Sequence, residues 1–227
     1  MSTMKLEKHD GVFVLTLTNG EAGNLLCDEV LQEYLENFAA IEHERGDAAL
    51  VITSTDPKTF CNGINLPWLM RQKNPMAFAT RLENFLIRLG LLNLPVVAAI
   101  NGNAYAGGAL IAAASDFRLM RADRGRFCFS EVKIKLPFTP ALLEIVCLLP
   151  NRAAIDELAL TGNAWGGEDC ARRQVVHQAL PEDQVLPAAM TLAADMATRD
   201  RATYTAIKRG LRPTLVGLAG QRGIPVV

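Results

Sequence analysis

The sequence predicts an α/β fold in which parallel strands are connected through helices. Half of the 227 residues are hydrophobic, which is enough to bury a sizeable core. Along the first half, runs rich in β-branched residues alternate with segments whose apolar residues recur at helical spacing. Such alternation is typical of parallel crossover connections. We therefore expect one domain over 1–227, with a core over about 1–150 and a mainly helical part over about 151–227.

The first elements are two strands on either side of a helix. GVFVLTLT, residues 11–18, alternates between apolar and other residues as a strand does, and an Asn-Gly turn follows it. Apolar residues over Cys27–Glu44 fall on one helical face, and Gly46 ends that helix. ALVITS, residues 49–54, predicts a buried strand. The segment 55–65 that follows it is expected to be a loop.

The next elements repeat this order. Pro75–Asn93 has helical periodicity, and Pro95–Ile100 predicts another buried strand. NGNAYAGGALIAAASD, Asn101–Asp116, begins as a glycine-rich loop and becomes a helix of small apolar residues. FRLM and RFCF are short strand candidates after it.

Composition and charge exclude several classes of function. The net charge is −1 and no long basic block occurs, so we expect no nucleic-acid partner. No apolar run reaches the roughly 18 to 20 residues that span a bilayer, and no secretion or targeting signal is recognised. The five cysteines include no CxxC pair, which indicates reduced thiols. We expect a cytoplasmic, bacterial-type setting and, because the three histidines are scattered, no metal site.

Two glycine-bearing loops follow buried strands and are candidates for a binding site. They are FCNGIN, residues 60–65, and NGNAYAGGA, whose Gly107 and Gly108 lie near the start of a helix. Backbone N–H groups from two such loops can converge on one oxygen and form an oxyanion hole. Turns that need positive φ and tight helix packing also use glycine, so a purely structural role for these glycines stays open. A dinucleotide-binding loop fits less well, since the GxGxxG spacing is not met.

Three segments together resemble the enoyl-CoA hydratase/isomerase, or crotonase, family. FCNGINLPWLM is similar to its first signature, F-x-A/S-G-x-D-L. NGNAYAGGALIAAASDFRLM, followed by RFCFSEVKIKLP, is similar to its second, N-G-x-A-x-G-G-G-x-x-L-A-x-x-x-D and then F-x-x-P-E. LALTGNAWGGEDCARRQVVHQALPEDQV resembles a later segment. The resemblance runs from about Gly11 to about Arg209.

The resemblance implies a spiral of ββα units with a helical C-terminal region, assembled as a homotrimer or a dimer of trimers. It implies an acyl-CoA thioester as substrate, so that coenzyme A belongs to the substrate and no separate cofactor is needed. By position, the N–H groups of Ile64 and Gly107 would form the oxyanion hole. The residues that would contact substrate beside them are Asn62, Gly63, Asn65, Leu66, Gly108 and Leu110.

The residues at the two catalytic positions of the family limit which of its reactions this sequence is expected to catalyse. Hydratases of the family use two glutamates, and the first of these positions is Leu110 here, while the second is Glu131. One carboxylate suits Δ3,Δ2-enoyl-CoA isomerisation, in which it removes a proton from C2 and returns it at C4. The pattern resembles the single-glutamate isomerases of the family, with the plant-type branch the most similar. A branch whose acid follows in a Pro-Glu pair fits poorly, since Thr139-Pro140 stands there.

Several alternatives stay open. Glu131 is either the catalytic base in an apolar pocket or a solvated strand-end carboxylate, and Glu144 is either a second acid or a solvent-facing helix residue. The protein as a whole is an isomerase, a hydratase or related acyl-CoA enzyme with an acid not yet placed, or a non-catalytic acyl-CoA-binding relative. We expect Cys61 to serve packing rather than nucleophilic attack, because no base is linked to it.

The sequence also departs from the family pattern. Asn65 replaces the usual Asp of the first signature, Ala106 stands at the first glycine of the GGG run, and Ser130 replaces the Pro before the acid. The chain is short at its C-terminus, where Lys208 or Arg209 would either approach a CoA phosphate or form a solvated helix end.

Overall fold

The computed structural model describes residues 2–226, so Met1 and Val227, the two ends of the predicted domain, lie outside the described residues. The strands are β1 (Met4–His9), β2 (Val12–Leu17), β3 (Ala49–Ser54), β4 (Thr59–Cys61), β5 (Val96–Ile100), β6 (Asn103–Tyr105), β7 (Phe117–Arg121), β8 (Phe127–Cys128) and β9 (Gln178–Leu180). The helices are α1 (Asp28–His43), α2 (Leu66–Leu69), α3 (Pro75–Leu91), α4 (Gly107–Ala114), α5 (Pro140–Val146), α6 (Arg152–Thr161), α7 (Gly167–Arg172), α8 (Glu182–Met196), α9 (Arg201–Leu211) and α10 (Pro213–Arg222).

The strands form two sheets. The larger has the order β1-β2-β3-β5-β7-β9, in which β1 and β2 pair antiparallel and every other neighbour is parallel. The smaller has the order β4-β6-β8 and is parallel throughout. After the β1-β2 hairpin and α1, the strand pairs β3-β4, β5-β6 and β7-β8 each send their first strand to the larger sheet and their second strand to the smaller one. The α/β class and the ββα repeat are therefore confirmed.

Both faces of the larger sheet are buried. The helix α8 covers one face, where Val185 and Ala189 pack with inward residues of β2, β3, β5 and β7. The other face meets α1 and α3, whose Tyr34 and Phe85 rings lie 4.8 Å apart between centroids. Burial on both faces explains why β2 and β3 are almost continuously apolar instead of strictly alternating.

Four short or polar strands do not follow from sequence periodicity. The strand β1 has the charged sequence MKLEKH, β4 lies within the predicted loop, β6 lies within the glycine stretch, and β9 interrupts the mainly helical part. Three of the four are only three residues long, which is too short for an alternating pattern. The three short strands pair with partners that are distant in sequence, as in the contact between Cys61 and Ala104, whereas β1 pairs with its neighbour β2.

The C-terminal helices are attached to the sheet by a buried ionic cluster. Lys208 on α9 is 5 % exposed, and its Nζ donates to Asp116 Oδ2 at 2.8 Å and to the Leu94 carbonyl at 3.1 Å. Arg212 pairs with the other oxygen of Asp116 at 2.8 Å. Burial lowers the pKa of Lys208 to about 8, although the nearby carboxylate opposes this shift. Both expectations for Lys208, a solvated helix end and a CoA phosphate contact, are wrong because its ammonium is engaged inside the protein.

A second attachment is made by Arg201 at the start of α9. Its guanidinium donates to the carbonyls of Asn93, Glu44, Gly46 and Ile41 at 2.9 to 3.2 Å, and also to Asn93 Oδ1 at 2.6 Å. Ile41 lies in the last turn of α1, where helix carbonyls lack intrahelical partners. One side chain therefore caps the end of α1 from α9.

Candidate active site

The first glycine loop follows β4 and presents one backbone N–H group. Leu26 donates its N–H to the Gly63 carbonyl at 2.8 Å and accepts from the Asn65 N–H at 2.9 Å, which makes a parallel bridge around Ile64. Successive residues in such a bridge direct their polar groups to opposite sides. The N–H of Ile64 therefore points away from Leu26. Gly63 has φ +83°, a backbone conformation that residues with a side chain rarely adopt.

The second loop brings the start of α4 against the first. Gly107 is the first residue of α4, so its N–H is among those that a helix leaves without an intrahelical partner. A Cβ atom built on Gly63 would lie 2.9 Å from the Gly107 nitrogen, and one built on Gly107 would lie 3.2 Å from the Gly63 Cα. The two loops that carry the predicted N–H donors are therefore in direct contact.

Gly108 allows α4 to start at the end of β4. A Cβ at this position would lie 2.0 Å from the Cys61 carbonyl oxygen, a backbone atom that cannot turn aside. The Cys61 thiol is buried, its Sγ lies 3.2 Å from the Asn24 carbonyl oxygen, and burial raises its pKa to about 12. This environment keeps the thiol protonated and agrees with packing as the role of Cys61.

Ala106 forms the turn between β6 and α4. Its N–H donates to the Cys128 carbonyl at 2.9 Å, and this hydrogen bond joins the start of α4 to β8. Its φ of +46° and ψ of −114° are unusual for a residue with a side chain. The glycine that the family pattern has at this position would adopt them without strain.

Leu110 lies one turn into α4, three residues after Gly107 and on the same side of the helix. Its side chain is 2 % exposed and belongs to the main core cluster. The position at which the family's hydratases carry their first glutamate is therefore filled by a group that cannot transfer a proton.

Glu131 follows β8 and is buried. The residue is 8 % exposed, and its Oε2 is a buried atom that accepts no hydrogen bond from the described residues. Loss of solvation raises the pKa of Glu131 to about 7, and a hydrogen bond from its own backbone N–H opposes the shift only in part. The alternative of a solvated strand-end carboxylate is wrong. Of the flanking apolar residues, Phe129 is fully buried, whereas Val132 and Ile134 are exposed.

A compact turn fixes the position of Glu131. The N–H groups of Lys133 and Ile134 donate to the Ser130 carbonyl at 3.0 and 3.2 Å, and that of Leu136 donates to the Glu131 carbonyl at 3.0 Å. Just before the turn, the Cys128 thiol lies 3.3 Å from the carbonyl oxygen of Gly162, the residue that caps the C-terminal end of α6. The turn is therefore joined to α6 on one side and, through the Cys128 carbonyl, to the start of α4 on the other.

A cavity of about 300 Å³ opens beside Glu131. The residues that line it are Glu131, Val132, Lys135, Leu136, Pro137, Phe138 and Ala159. Neither N–H donor loop is among the lining residues. The structure thus joins the two donor loops directly, and it connects them to Glu131 through β8.

The other predicted binding residues lie around the first loop. Asn62 is partly buried, and its N–H donates to the Gly23 carbonyl at 3.1 Å. The Oδ1 of Asn65 accepts the Trp68 N–H at 3.0 Å, so this side chain caps α2, in which Leu66 is the first residue. An Asn followed two residues later by Pro is a helix-start signal, and it would have predicted this turn.

Glu144, the rival acid, is a partly buried residue of α5. Among residues 2–226, no group of three or more His, Cys, Asp or Glu side chains is arranged to hold a metal ion. In the same range, no helix combines the length and apolar composition required to cross a membrane.

The fold is that of the crotonase class of α/β proteins. It superposes on the crystal structure of an enoyl-CoA hydratase/isomerase family protein from Pseudomonas syringae with a TM-score of 0.88, covering 95 % of this chain and 92 % of the other at 19 % identity. The chain is an enzyme of the enoyl-CoA hydratase/isomerase family, whose sequence model matches residues 7–224. The resemblance of the chain to this family is thereby confirmed.

Two curated relatives carry names for different reactions. Enoyl-CoA delta isomerase 2, peroxisomal, of Arabidopsis thaliana is 30 % identical over 227 residues, which cover 95 % of this chain and 94 % of the relative. Carnitinyl-CoA dehydratase of Escherichia coli strain K12 is 26 % identical over 219 residues, which cover 93 % of this chain and 81 % of the relative.

Proposed function

We propose that this protein is an acyl-CoA double-bond isomerase that converts Δ3-enoyl thioesters into Δ2-enoyl thioesters. The observation that carries the proposal is the contrast between two positions of the site. Glu131 offers a buried carboxyl group whose pKa is raised to about 7, while Leu110 stands where a second acid would be needed for hydration. The isomerase name of the Arabidopsis relative supports the same reaction.

One carboxylate suffices for the proposed proton transfer. The Glu131 carboxylate takes a proton from C2, and the electron pair of the C2–H bond moves into a dienolate whose charge rests on the thioester oxygen. The acid form of Glu131 then delivers the proton to C4, and the double bond comes to lie between C2 and C3. A pKa of about 7 suits a group that acts first as base and then as acid near neutral pH.

The N–H groups of Ile64 and Gly107 form the proposed oxyanion hole. The direct contact between Gly63 and Gly107 supports this assignment, because it brings the two donors to one place. Negative charge develops on the thioester oxygen only during the reaction, so the donors bind the transition state more strongly than the ground state. One such donor typically contributes about 3 to 4 kcal/mol to lowering the barrier.

The wider functional setting belongs to the same proposal. The relatives' names refer to CoA, and we take an acyl-CoA thioester as substrate, with coenzyme A as part of it and no further cofactor. We also propose a homotrimer or dimer of trimers, a reducing, cytoplasmic setting that suits the five free thiols, and no nucleic-acid or membrane partner.

The test is an isomerisation assay with 3-hexenoyl-CoA on wild type, Glu131→Gln and Glu144→Gln. We expect conversion to 2-hexenoyl-CoA by the wild type and a loss of about 10²- to 10⁴-fold in Glu131→Gln, the range of general acid–base catalysis. Glu144→Gln separates the rival acid, since a comparable loss there would move the catalytic role to α5. No conversion by the wild type would refute the proposal.

A second candidate is a hydratase or dehydratase, favoured by the resemblance to carnitinyl-CoA dehydratase. That reaction adds or removes water and needs a further group to act on the oxygen. Incubation with 2-hexenoyl-CoA tests it, because formation of the 3-hydroxy thioester without isomerisation of 3-hexenoyl-CoA would establish this candidate. Binding of both thioesters without turnover would instead identify a non-catalytic acyl-CoA-binding relative.

A further inference from the structure

We propose that the cavity beside Glu131 receives the apolar tail of the acyl chain beyond C4, and that the small side chain of Ala159 is what leaves room for a long tail. This acyl channel is the cavity walled by Val132, Leu136, Pro137, Phe138 and Ala159. The inference rests on the proposed function, because it assigns the substrate class of the same site.

The rim of the acyl channel consists of apolar side chains in solvent. Val132 is 49 % and Leu136 is 42 % exposed, and both lie within five residues of the buried Glu131 carboxyl group. Exposed apolar groups that surround a cavity are typical of ligand-binding surfaces. Of the lining residues, only Glu131 and Lys135 are ionisable, and such a wall suits an alkyl chain better than a polar one.

One wall of the acyl channel is rigid. The ring of Phe138 packs edge-to-face on Phe129 with centroids 5.7 Å apart, and Phe129 packs in the same way on Phe127 at 5.4 Å. The next residue, Thr139, caps α5 and donates a hydrogen bond to Glu83 on α3. Because both backbone and ring are held, this wall is not expected to yield to a larger ligand.

The lining also includes one residue of α6, Ala159. A Cβ on Gly162, which ends α6, would lie 3.0 Å from Val132 Cγ1 and 3.1 Å from Lys133 Cγ, so this end of the helix lies directly on the turn. Ala159 is three residues earlier and on the same side of the helix. The small methyl group of Ala159 leaves the space between the helix and the turn open.

The size of the acyl channel fits a tail of several methylene groups. Its volume of about 300 Å³ is near the lower limit for small-molecule pockets. At ~30 Å³ for each water-sized group, this corresponds to about ten such groups. Since the rim is exposed, a longer tail would continue into solvent rather than meet a closed end.

The experiment compares 3-hexenoyl-CoA with 3-dodecenoyl-CoA on wild type, Ala159→Phe and Leu136→Asp. We expect the ratio of kcat/KM for the long substrate to that for the short substrate to fall at least tenfold in both variants. Leu136→Asp places a charge on the exposed rim, so it tests the acyl channel without altering the packing of α6. Ala153→Phe, on the exposed side of the same helix, is the matched control and should treat both substrates as the wild type does.

Equal losses for the two substrates, or no loss for either, would overturn the inference. Titration of the same proteins with saturated hexanoyl-CoA and dodecanoyl-CoA separates it from the proposed function. If the wild type isomerises neither 3-enoyl thioester, the proposed function fails. The acyl channel still stands or falls on whether Ala159→Phe and Leu136→Asp weaken dodecanoyl-CoA binding at least tenfold while hexanoyl-CoA binding is retained.

Discussion

The raised pKa of Glu131 predicts that activity and stability depend on pH in opposite ways. As a base, the carboxyl group must be ionised in the free enzyme, and with a pKa of about 7 it is about one tenth ionised at pH 6 and about nine tenths at pH 8. We therefore expect kcat/KM for 3-hexenoyl-CoA to rise nearly tenfold over this range, with a midpoint near pH 7.

Stability is expected to fall over the same range. Between the ordinary pKa of 4.5 and the folded value of about 7, the folded protein binds more protons at Glu131 than the unfolded chain does. The stabilising contribution of the protonated group is therefore fully present below pH 4.5 and is lost as the pH rises through 7. At 1.36 kcal/mol for each pKa unit, about 2 to 3 kcal/mol is lost between pH 5 and pH 8.

Urea unfolding of wild type and Glu131→Gln at pH 5 and pH 8 measures this loss. The amide keeps the shape of the side chain and does not ionise, so the variant lacks this pH-dependent loss. The free energy of unfolding of the variant minus that of the wild type should therefore increase by about 2 to 3 kcal/mol from pH 5 to pH 8. A difference that stays constant with pH, together with a rate that is flat from pH 6 to pH 8, would refute the buried-base assignment.

Three further predictions concern the framework of the site. Ala106→Gly should raise the free energy of unfolding by about 1 kcal/mol in a urea titration, because the backbone strain at φ +46° costs ~1 to 3 kcal/mol and the freedom of glycine returns part of it; an unchanged or lower value would refute the strain. Asp116→Ala should cost about 3 to 5 kcal/mol in the same assay, because it leaves two buried cations without their partner; a loss below 1 kcal/mol would contradict this. Gly108→Ala should lower both stability and isomerase activity, because its Cβ would meet the Cys61 carbonyl oxygen, whereas Gly210→Ala, in an open helix position, should stabilise by about 0.5 to 1 kcal/mol; equal effects of the two would show that the contact is not limiting.

Local sequence patterns predicted the elements that are long enough for their apolar residues to recur with a clear period. The helix α3 was expected over 75–93 and spans 75–91, since Phe78, Leu82 and Phe85 recur at helical spacing. The strand β4 was hidden in a predicted loop, because its three residues are held by pairing with β6, about forty residues later. Such a strand has no local signal to find.

In the candidate site, too, some features could be predicted from local sequence, and others depend on contacts between distant parts of the chain. The glycines were visible because their conformation and close approach exclude other residues, as at Gly63 and Gly108. The proposed acyl channel depends on Ala159 of α6, a helix that begins some twenty residues after Glu131, and no spacing rule connects the two. The prediction for Lys208 was wrong for a related reason. Its helix carries three cationic residues, and the contacts that hold the ammonium inside, with Asp116 and the Leu94 carbonyl, lie 92 and 114 positions earlier in the chain.

The capping of α1 by Arg201 has a consequence for the order in which the chain folds. The hydrogen bonds of this guanidinium close loops of 108 to 160 residues. Contacts so remote in sequence lose much entropy before they are formed, which slows folding. During synthesis, the carbonyls at the end of α1 leave the ribosome long before Arg201 exists to receive them. We expect the end of α1 to remain without this cap until the start of α9 has been made, and a fragment that stops before residue 201 to leave that helix end uncapped.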